Sequence, residues 1–252
     1  MRYMDAVMNI YKPQGMTPLQ AINAVREMRP EYRNEKMTYA GRLDPMAEGV
    51  LVILVGDAVH EKETYGKLDK TYEADVLFGI GTDTYDLLGM PIITRGSILS
   101  GERMEKELRG MRGAHEYPFP AYSSKPVDGK PLFQWAREGK LHEIKVPKRL
   151  MRVYEIELRD RYVMTADAVR AMVMERIARV TGDFRQRDIG NAWNVMGDGS
   201  FQVARITLRC ASGTYVRTIA HEWGKRLQTD AVLLRLVRKS VGSHGIEESI
   251  RV

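Results

Sequence analysis

The chain has 252 residues, 44% hydrophobic and 29% charged; this supports one large domain or two small ones around a buried core and excludes an intrinsically disordered chain. Lys and Arg number 39 against 33 Asp and Glu, a net charge of +6, which favours a polyanionic partner because neutralising phosphates releases counterions. Cys210 is the single cysteine, so an internal disulfide and a cysteine-based zinc site are excluded.

From the N-terminus, Met1 to Asp5 mix charged and apolar residues and do not read as a signal peptide. Thr17-Pro18-Leu19-Gln20 reads as a helix start with a capping box, and Ile22, Val25 and Met28 supply the apolar face ahead of Pro30. Residues 50–55 form an apolar run between Gly49 and Gly56, the pattern of a strand buried on both faces. It is also the longest apolar run, far too short to cross a bilayer. A second strand is expected from Thr71 to Phe78, ended by Gly79 and Gly81. Residues 100–111 read as a helix with Glu102–Lys106 and Glu105–Arg109 pairs, and residues 117–129, rich in Pro, Ser and Gly, as a loop. Thr165 starts a long helix through Val169, Val173 and Ile177, stopped at Gly182. Residues 183–200 carry little pattern and read as a surface insertion. Residues 205–210 alternate as a half-buried strand, and residues 214–227 return to helical period. With strands and helices interspersed and no internal repeat, the expected class is mixed α/β or α+β, in a soluble, reducing, cytoplasmic setting.

Several chemistries find no support. There is no GxxxxGK[ST] phosphate loop and no GxSxG elbow, and Gly79-Ile80-Gly81 lacks the third glycine of a dinucleotide fingerprint. The five histidines are scattered without metal-ligand spacing. No metal, nucleotide or other cofactor is expected.

One segment is unusual: Gly41-Arg42-Leu43-Asp44-Pro45-Met46-Ala47-Glu48-Gly49-Val50-Leu51. Pro45 restricts Asp44 to extended conformations, holding a carboxylate at the mouth of a sheet, where ligand sites tend to be built. On the residues alone, a turn-capping aspartate is the first reading. The segment resembles the GxLDPxAxGVL motif of the TruB family of tRNA pseudouridine synthases. Further stretches resemble that family in its order: Lys12-Pro13-Gln14-Gly15-Met16-Thr17, Lys70-Thr71-Tyr72, and Gly79 through Thr82-Asp83-Thr84-Tyr85-Asp86 to Gly89. So do Pro120-Ala121-Tyr122-Ser123-Ser124-Lys125 with the following Gly129–Gly139 region, and Ser212-Gly213-Thr214-Tyr215-Val216-Arg217-Thr218-Ile219. The resemblance runs from about Asn9 to Ile250.

It implies an α+β pseudouridine synthase fold, a central mixed or antiparallel sheet flanked by helices with an RNA-binding cleft, as one catalytic domain over 1–252. The implied reaction converts a tRNA T-loop uridine, position 55, to pseudouridine, with a flipped-out nucleotide and Asp44 as nucleophile. Arg217 would pair with Asp44, Tyr72 would stack on the flipped base, Leu236 would line the pocket, and Lys12 would support the active-site loop on the substrate side. Lys125 and Arg137 would touch RNA. Each also reads as an ordinary residue: a surface arginine, a core tyrosine, a core leucine at an apolar helix end, or solvated charges. Tyr39 stands where the family usually has a histidine that engages the T loop, and with the sequence ending at Val252 the C-terminal RNA-binding PUA domain of many relatives is not expected. The expected partner is the T arm of tRNA, bound by a monomer. The same chemistry on another RNA site, or an RNA-binding or RNA-folding module with secondary catalysis, are the alternatives.

Overall fold

A computed structural model describes residues 6–94 and 98–252; residues 1–5, on which the signal-peptide reading rests, lie outside them. Strands β1 (Ala6–Lys12), β2 (Met37–Ala40), β3 (Ala47–Val55) and β4 (Lys70–Phe78) open the fold. A two-strand ribbon of β5 (Ile80–Thr82) and β6 (Pro91–Ile93) follows. Next come β7 (Gly113–Pro118), a second ribbon of β8 (Pro126–Val127) and β9 (Lys130–Pro131), and the long β10 (Lys148–Thr165). Strands β11 (Ser200–Cys210), β12 (Ala231–Val241), β13 (His244–Gly245) and β14 (Ile250–Arg251) close the chain. The main sheet runs β14-β1-β3-β12-β4-β11-β10-β7, with β2 against β3 and β13 against β12. It is mixed: β12 lies parallel to β3 and antiparallel to β4.

Helices cover both faces. They are α1 (Pro18–Met28), α2 (Lys62–Lys67), α3 (Gly101–Arg109), α4 (Leu132–Arg137), α5 (Ala166–Ala178), α6 (Gln186–Asn194) and α7 (Val216–Arg226). The period-2 geometry of β3 sends Leu51, Ile53 and Val55 into the core shared with α1, α3 and α7. Val50, Val52 and Leu54 face a smaller core with Ala40, Ala58 and Val241. All six are fully buried, as the uninterrupted apolar run predicts, and each such side chain contributes about 1.5–3 kcal/mol. A third cluster joins Leu77, Val232 and Leu234 to α5 and α6. No helix among the described residues is long and apolar enough to cross a membrane.

Local signals hold well. The Thr17 hydroxyl accepts from the Gln20 amide while the Gln20 side chain accepts from the Thr17 amide at 2.6 Å, a complete capping box. Ser100 and Thr165 cap α3 and α5. Of the two ion pairs expected on α3, Glu105–Arg109 forms at 3.2 Å. The loop expected over 117–129 is shorter at both ends, because Tyr117 and Pro118 belong to β7 and Pro126 and Val127 to β8.

Residues 183–200 depart from expectation. Instead of a surface appendage they form α6, which buries Ile189 and Trp193, and the Trp193 indole donates to the Gly89 carbonyl at 3.1 Å. The apolar pair sits at i,i+4 among Gln186, Arg187, Asp188 and Asn191, so the polar positions mask a one-sided helix. Strand β12 stands where the sequence suggests an apolar helix end at Leu236. Arg235 and Arg238 interrupt its apolar run, and its register against β4 shifts twice, which breaks the alternation a strand is recognised by.

Candidate active site

Strand β3 is shared unequally along one edge. Strand β2 pairs with residues 52–55, and β12 pairs in parallel with residues 47–49. The loop 41–46 leaves the sheet where these two partners part, and Asp44 is carried on it. Gly49 has a φ of +107° and lies against the backbone of Arg238, where a Cβ would collide with the Arg238 carbonyl oxygen. Only glycine permits both the conformation and the close strand approach.

Two buried cations brace this loop. Arg238 is 1% exposed; its Nε donates to the Val50 carbonyl at 2.6 Å and its terminal nitrogens donate to the Arg42 and Gly41 carbonyls at 3.1 Å each. Lys12 is fully buried, and its ammonium donates to the carbonyls of Pro13, Met16 and Ala47. Burial lowers the Lys12 ammonium to about 7, against the pull of the Asp44 carboxylate. The Gly15 amide then donates to the Pro45 carbonyl at 2.8 Å, tying the Lys12–Thr17 stretch to the Asp44 loop.

Arg217 lies in the first turn of α7, and its Nε is 2.9 Å from Asp44 Oδ2. Its terminal nitrogens donate to the Thr84 carbonyl at 2.9 Å and the Tyr122 carbonyl at 3.1 Å. One guanidinium thus gathers the loop of Asp44, the Thr82–Asp86 turn and the Pro120–Lys125 loop. Burial alone would lower its pKa; the carboxylates of Asp44 and Asp86 outweigh that and raise it, so it stays cationic. Asp86 is itself buried, accepts from the Thr84 hydroxyl at 2.8 Å and the Leu88 amide at 3.0 Å, and has its pKa pushed up by burial.

Two hollows, of about 320 Å³ and about 380 Å³, meet at the Asp44–Arg217 pair. The first is lined by Tyr72 and Leu236 together with Asp44 and Arg217, so four of the expected site residues converge there. Tyr72 on β4 is 7% exposed and Leu236 on β12 is 8% exposed, and burial raises the Tyr72 phenol. The second is lined by Tyr122, Phe133, Arg137, Phe184, Arg185 and Tyr215 among others. Arg137 is held by Asp183, donating to its carbonyl at 2.6 Å. The segment 183–185, expected at the surface, therefore forms part of the wall. Arg185 pairs with Asp83 at 2.9 Å and lies over the Tyr122 ring at 4.4 Å.

The other expected residues fall elsewhere. Lys12 reaches the loop only through backbone carbonyls and has no surface to offer a substrate, because its ammonium must be satisfied inside the core. Tyr39 on β2 and Lys125 line neither hollow. The Tyr39 hydroxyl accepts from Arg42 at 3.2 Å, with Lys62 over its ring at 5.7 Å, and Lys125 lies over the Phe119 ring at 5.6 Å. Arg238 and Asp86 play parts that the sequence reading gives them no role in. The one signal for Arg238 is a charge set among apolar residues two positions past Leu236, a signal it shares with Arg235.

The family model described as TruB family pseudouridylate synthase, N-terminal domain, matches residues 29–169. The chain belongs to this family. TruB relatives align along nearly its whole length: the tRNA pseudouridine synthase B of Clostridium kluyveri is 32% identical over 98% of this chain and 71% of the relative. The protein of that name in Bacillus subtilis is 28% identical over 97% of this chain and 67% of the relative. Among solved structures, a chain of a Cbf5-Nop10-Gar1 complex shares the fold at a TM-score of 0.60 and 17% identity, matched over 98% of this TruB-family chain. This chain spans about half the length of that one, 52%.

Proposed function

We propose that this chain isomerises a uridine of tRNA to pseudouridine, at position 55 of the T loop, with Asp44 as nucleophile. The observation that carries the reading is the convergence of Asp44, Tyr72, Arg217 and Leu236 on one hollow in a chain of the TruB family.

The chemistry balances within the substrate. The bond from the ribose C1′ to N1 of the base breaks, the base turns, and a bond from C1′ to C5 forms; N1 gains a proton and C5 loses one. Nothing is oxidised or reduced. A carboxylate suits the sugar or base as a nucleophile that can later leave. Arg217 sets the direction of the Asp44 carboxylate from a guanidinium anchored on the Thr84 and Tyr122 carbonyls. The Tyr72 ring gives a face on which a base can stack and turn without losing contact, and Leu236 closes the same hollow with apolar surface. Arg137, at the second hollow, acts on the RNA around the target, and Lys125 and Tyr39, outside both hollows, would meet RNA only at its margin. The reading takes the chain to act as a monomer on tRNA in the cytoplasm.

The test is incubation with an unmodified tRNA transcript followed by mapping of pseudouridine. Product at T-loop position 55 is expected, and its absence with folded protein sinks the reading. Asp44→Ala should bind the transcript and form no product; substantial residual turnover would remove Asp44 from the mechanism.

A further inference from the structure

Six arginines line the two hollows, and four of them are already committed. Arg137, Arg185 and Arg217 are paired with Asp183, Asp83 and Asp44. Arg238 is spent on three backbone carbonyls. Arg42 and Arg149 differ. Among the described residues neither has a carboxylate partner, both are exposed, and each makes one side-chain hydrogen bond: Arg42 to the Tyr39 hydroxyl at 3.2 Å, Arg149 to the Ser212 carbonyl at 3.3 Å. A guanidinium has five N–H donors in a fixed fork, so most donors on both remain unused.

Both border the hollow that holds Asp44 and Tyr72, and they arrive from different parts of the sheet. Arg42 stands two residues before Asp44 on the loop that Arg238 braces. Arg149 lies at the start of β10, and its guanidinium rests on Gly213, where a Cβ would occupy the guanidinium's place. Gly213 has a φ of +80°, so this glycine both makes the turn and leaves the seat for Arg149. The lining of this hollow carries five cations, Arg42, Lys70, Arg149, Arg217 and Arg238, against the single carboxylate of Asp44. Lys70 is occupied by the Gly66 and Leu68 carbonyls, which leaves the positive surplus on Arg42 and Arg149.

We propose that Arg42 and Arg149 form a phosphodiester clamp at the mouth of this hollow, gripping the backbone phosphates next to the uridine that enters it. Two open forks match phosphate oxygens in bidentate geometry, and phosphate contacts set register without reading sequence. The clamp rests on the proposed function and adds to it the two residues that hold the RNA backbone beside the target.

The test measures binding of a labelled unmodified tRNA transcript over a salt series, with single-turnover pseudouridine formation in parallel, for wild type, Arg42→Ala, Arg149→Ala and the double variant. Each substitution should weaken binding on the order of tenfold and reduce the slope of log affinity against log salt by about 0.7–0.9. Product formation should fall at subsaturating RNA and recover at saturation. Arg42→Lys and Arg149→Lys, which keep the charge, should retain most of the slope. Both side chains are exposed, and an unchanged thermal midpoint checks the fold. A double variant with the wild-type slope overturns the clamp, as does a rate deficit that persists at saturating RNA with the slope intact. A wild-type protein that binds and makes no pseudouridine, with the slope still falling in the variants, defeats the proposed function and leaves the clamp standing.

Discussion

Arg217 holds Asp44 at 2.9 Å from a position in which the guanidinium is itself fixed by the Thr84 and Tyr122 carbonyls. The ion pair is therefore one arm of a three-way bracket, and the geometry of the carboxylate depends on the other two arms. A lysine would keep the charge and lose the fork. Arg217→Lys should fold, bind tRNA, and lose at least about 100-fold in kcat. Single-turnover kinetics on a tRNA transcript would measure this; a loss of only a few-fold would mean that charge alone suffices.

The bracing of the Asp44 loop predicts stability effects away from the carboxylate. Arg238→Met strips the donors from three backbone carbonyls, at 41, 42 and 50, and should cost about 3 kcal/mol or more. Gly49→Ala adds a positive-φ strain and a clash with the neighbouring strand, with a penalty of about 3 kcal/mol or more. Urea unfolding monitored by circular dichroism checks both. Near-neutral values would show that the strand pair can shift apart without cost.

Helix α6 makes a separate prediction. Trp193 is fully buried and bonded to Gly89, so Trp193→Ala should destabilise by about 3–5 kcal/mol. Because residues 183–185 form a wall of the second hollow, the variant should also lose activity at temperatures where it remains folded. Wild-type stability in this variant would return the segment to the status of a surface appendage.

Lys12 supplies a pH signature. Its folded-state pKa is lowered to about 7 by burial, while an unfolded lysine titrates near ~10.4. Between these values the unfolded chain binds more protons than the folded one, so this group makes stability rise with pH across that window. Below about 7 the full burial penalty is present, and above the unfolded value it is gone. Lys12→Met should lose this component. The wild-type urea midpoint should therefore rise from pH 7 to 9.5 relative to that of the variant, and strictly parallel curves would argue that Lys12 stays charged throughout.

The Asp44 loop is legible in the sequence because its constraints are local. Gly41, Pro45 and Gly49 punctuate a short stretch around Asp44, and the Thr17–Gln20 capping box lies within one helical turn. The apolar run of β3 needs no partner to be recognised. What closes the site is nonlocal. The Arg238 contact with Arg42 spans 196 residues, and two register shifts hide β12 from a periodicity reading. Lys12 illustrates a different limit: a lysine is read as solvated by default, and only the fold shows three carbonyls waiting for it. Tyr39 and Lys125 have the right chemistry for RNA, yet residue type does not fix direction, and both lie off the hollows.

The parallel seam between β3 and β12 also sets when the molecule can work. During synthesis β3 emerges early, but β12, which covers its Asp44 end, is made late, and the Arg238–Val50 bond joins residues 188 apart. A nascent chain stopped short of β12 would display a half-covered apolar strand edge, open to wrong pairing. It would also carry Asp44 on an unbraced loop. Asp44 should therefore reach its braced position late and abruptly, once the twelfth strand leaves the ribosome.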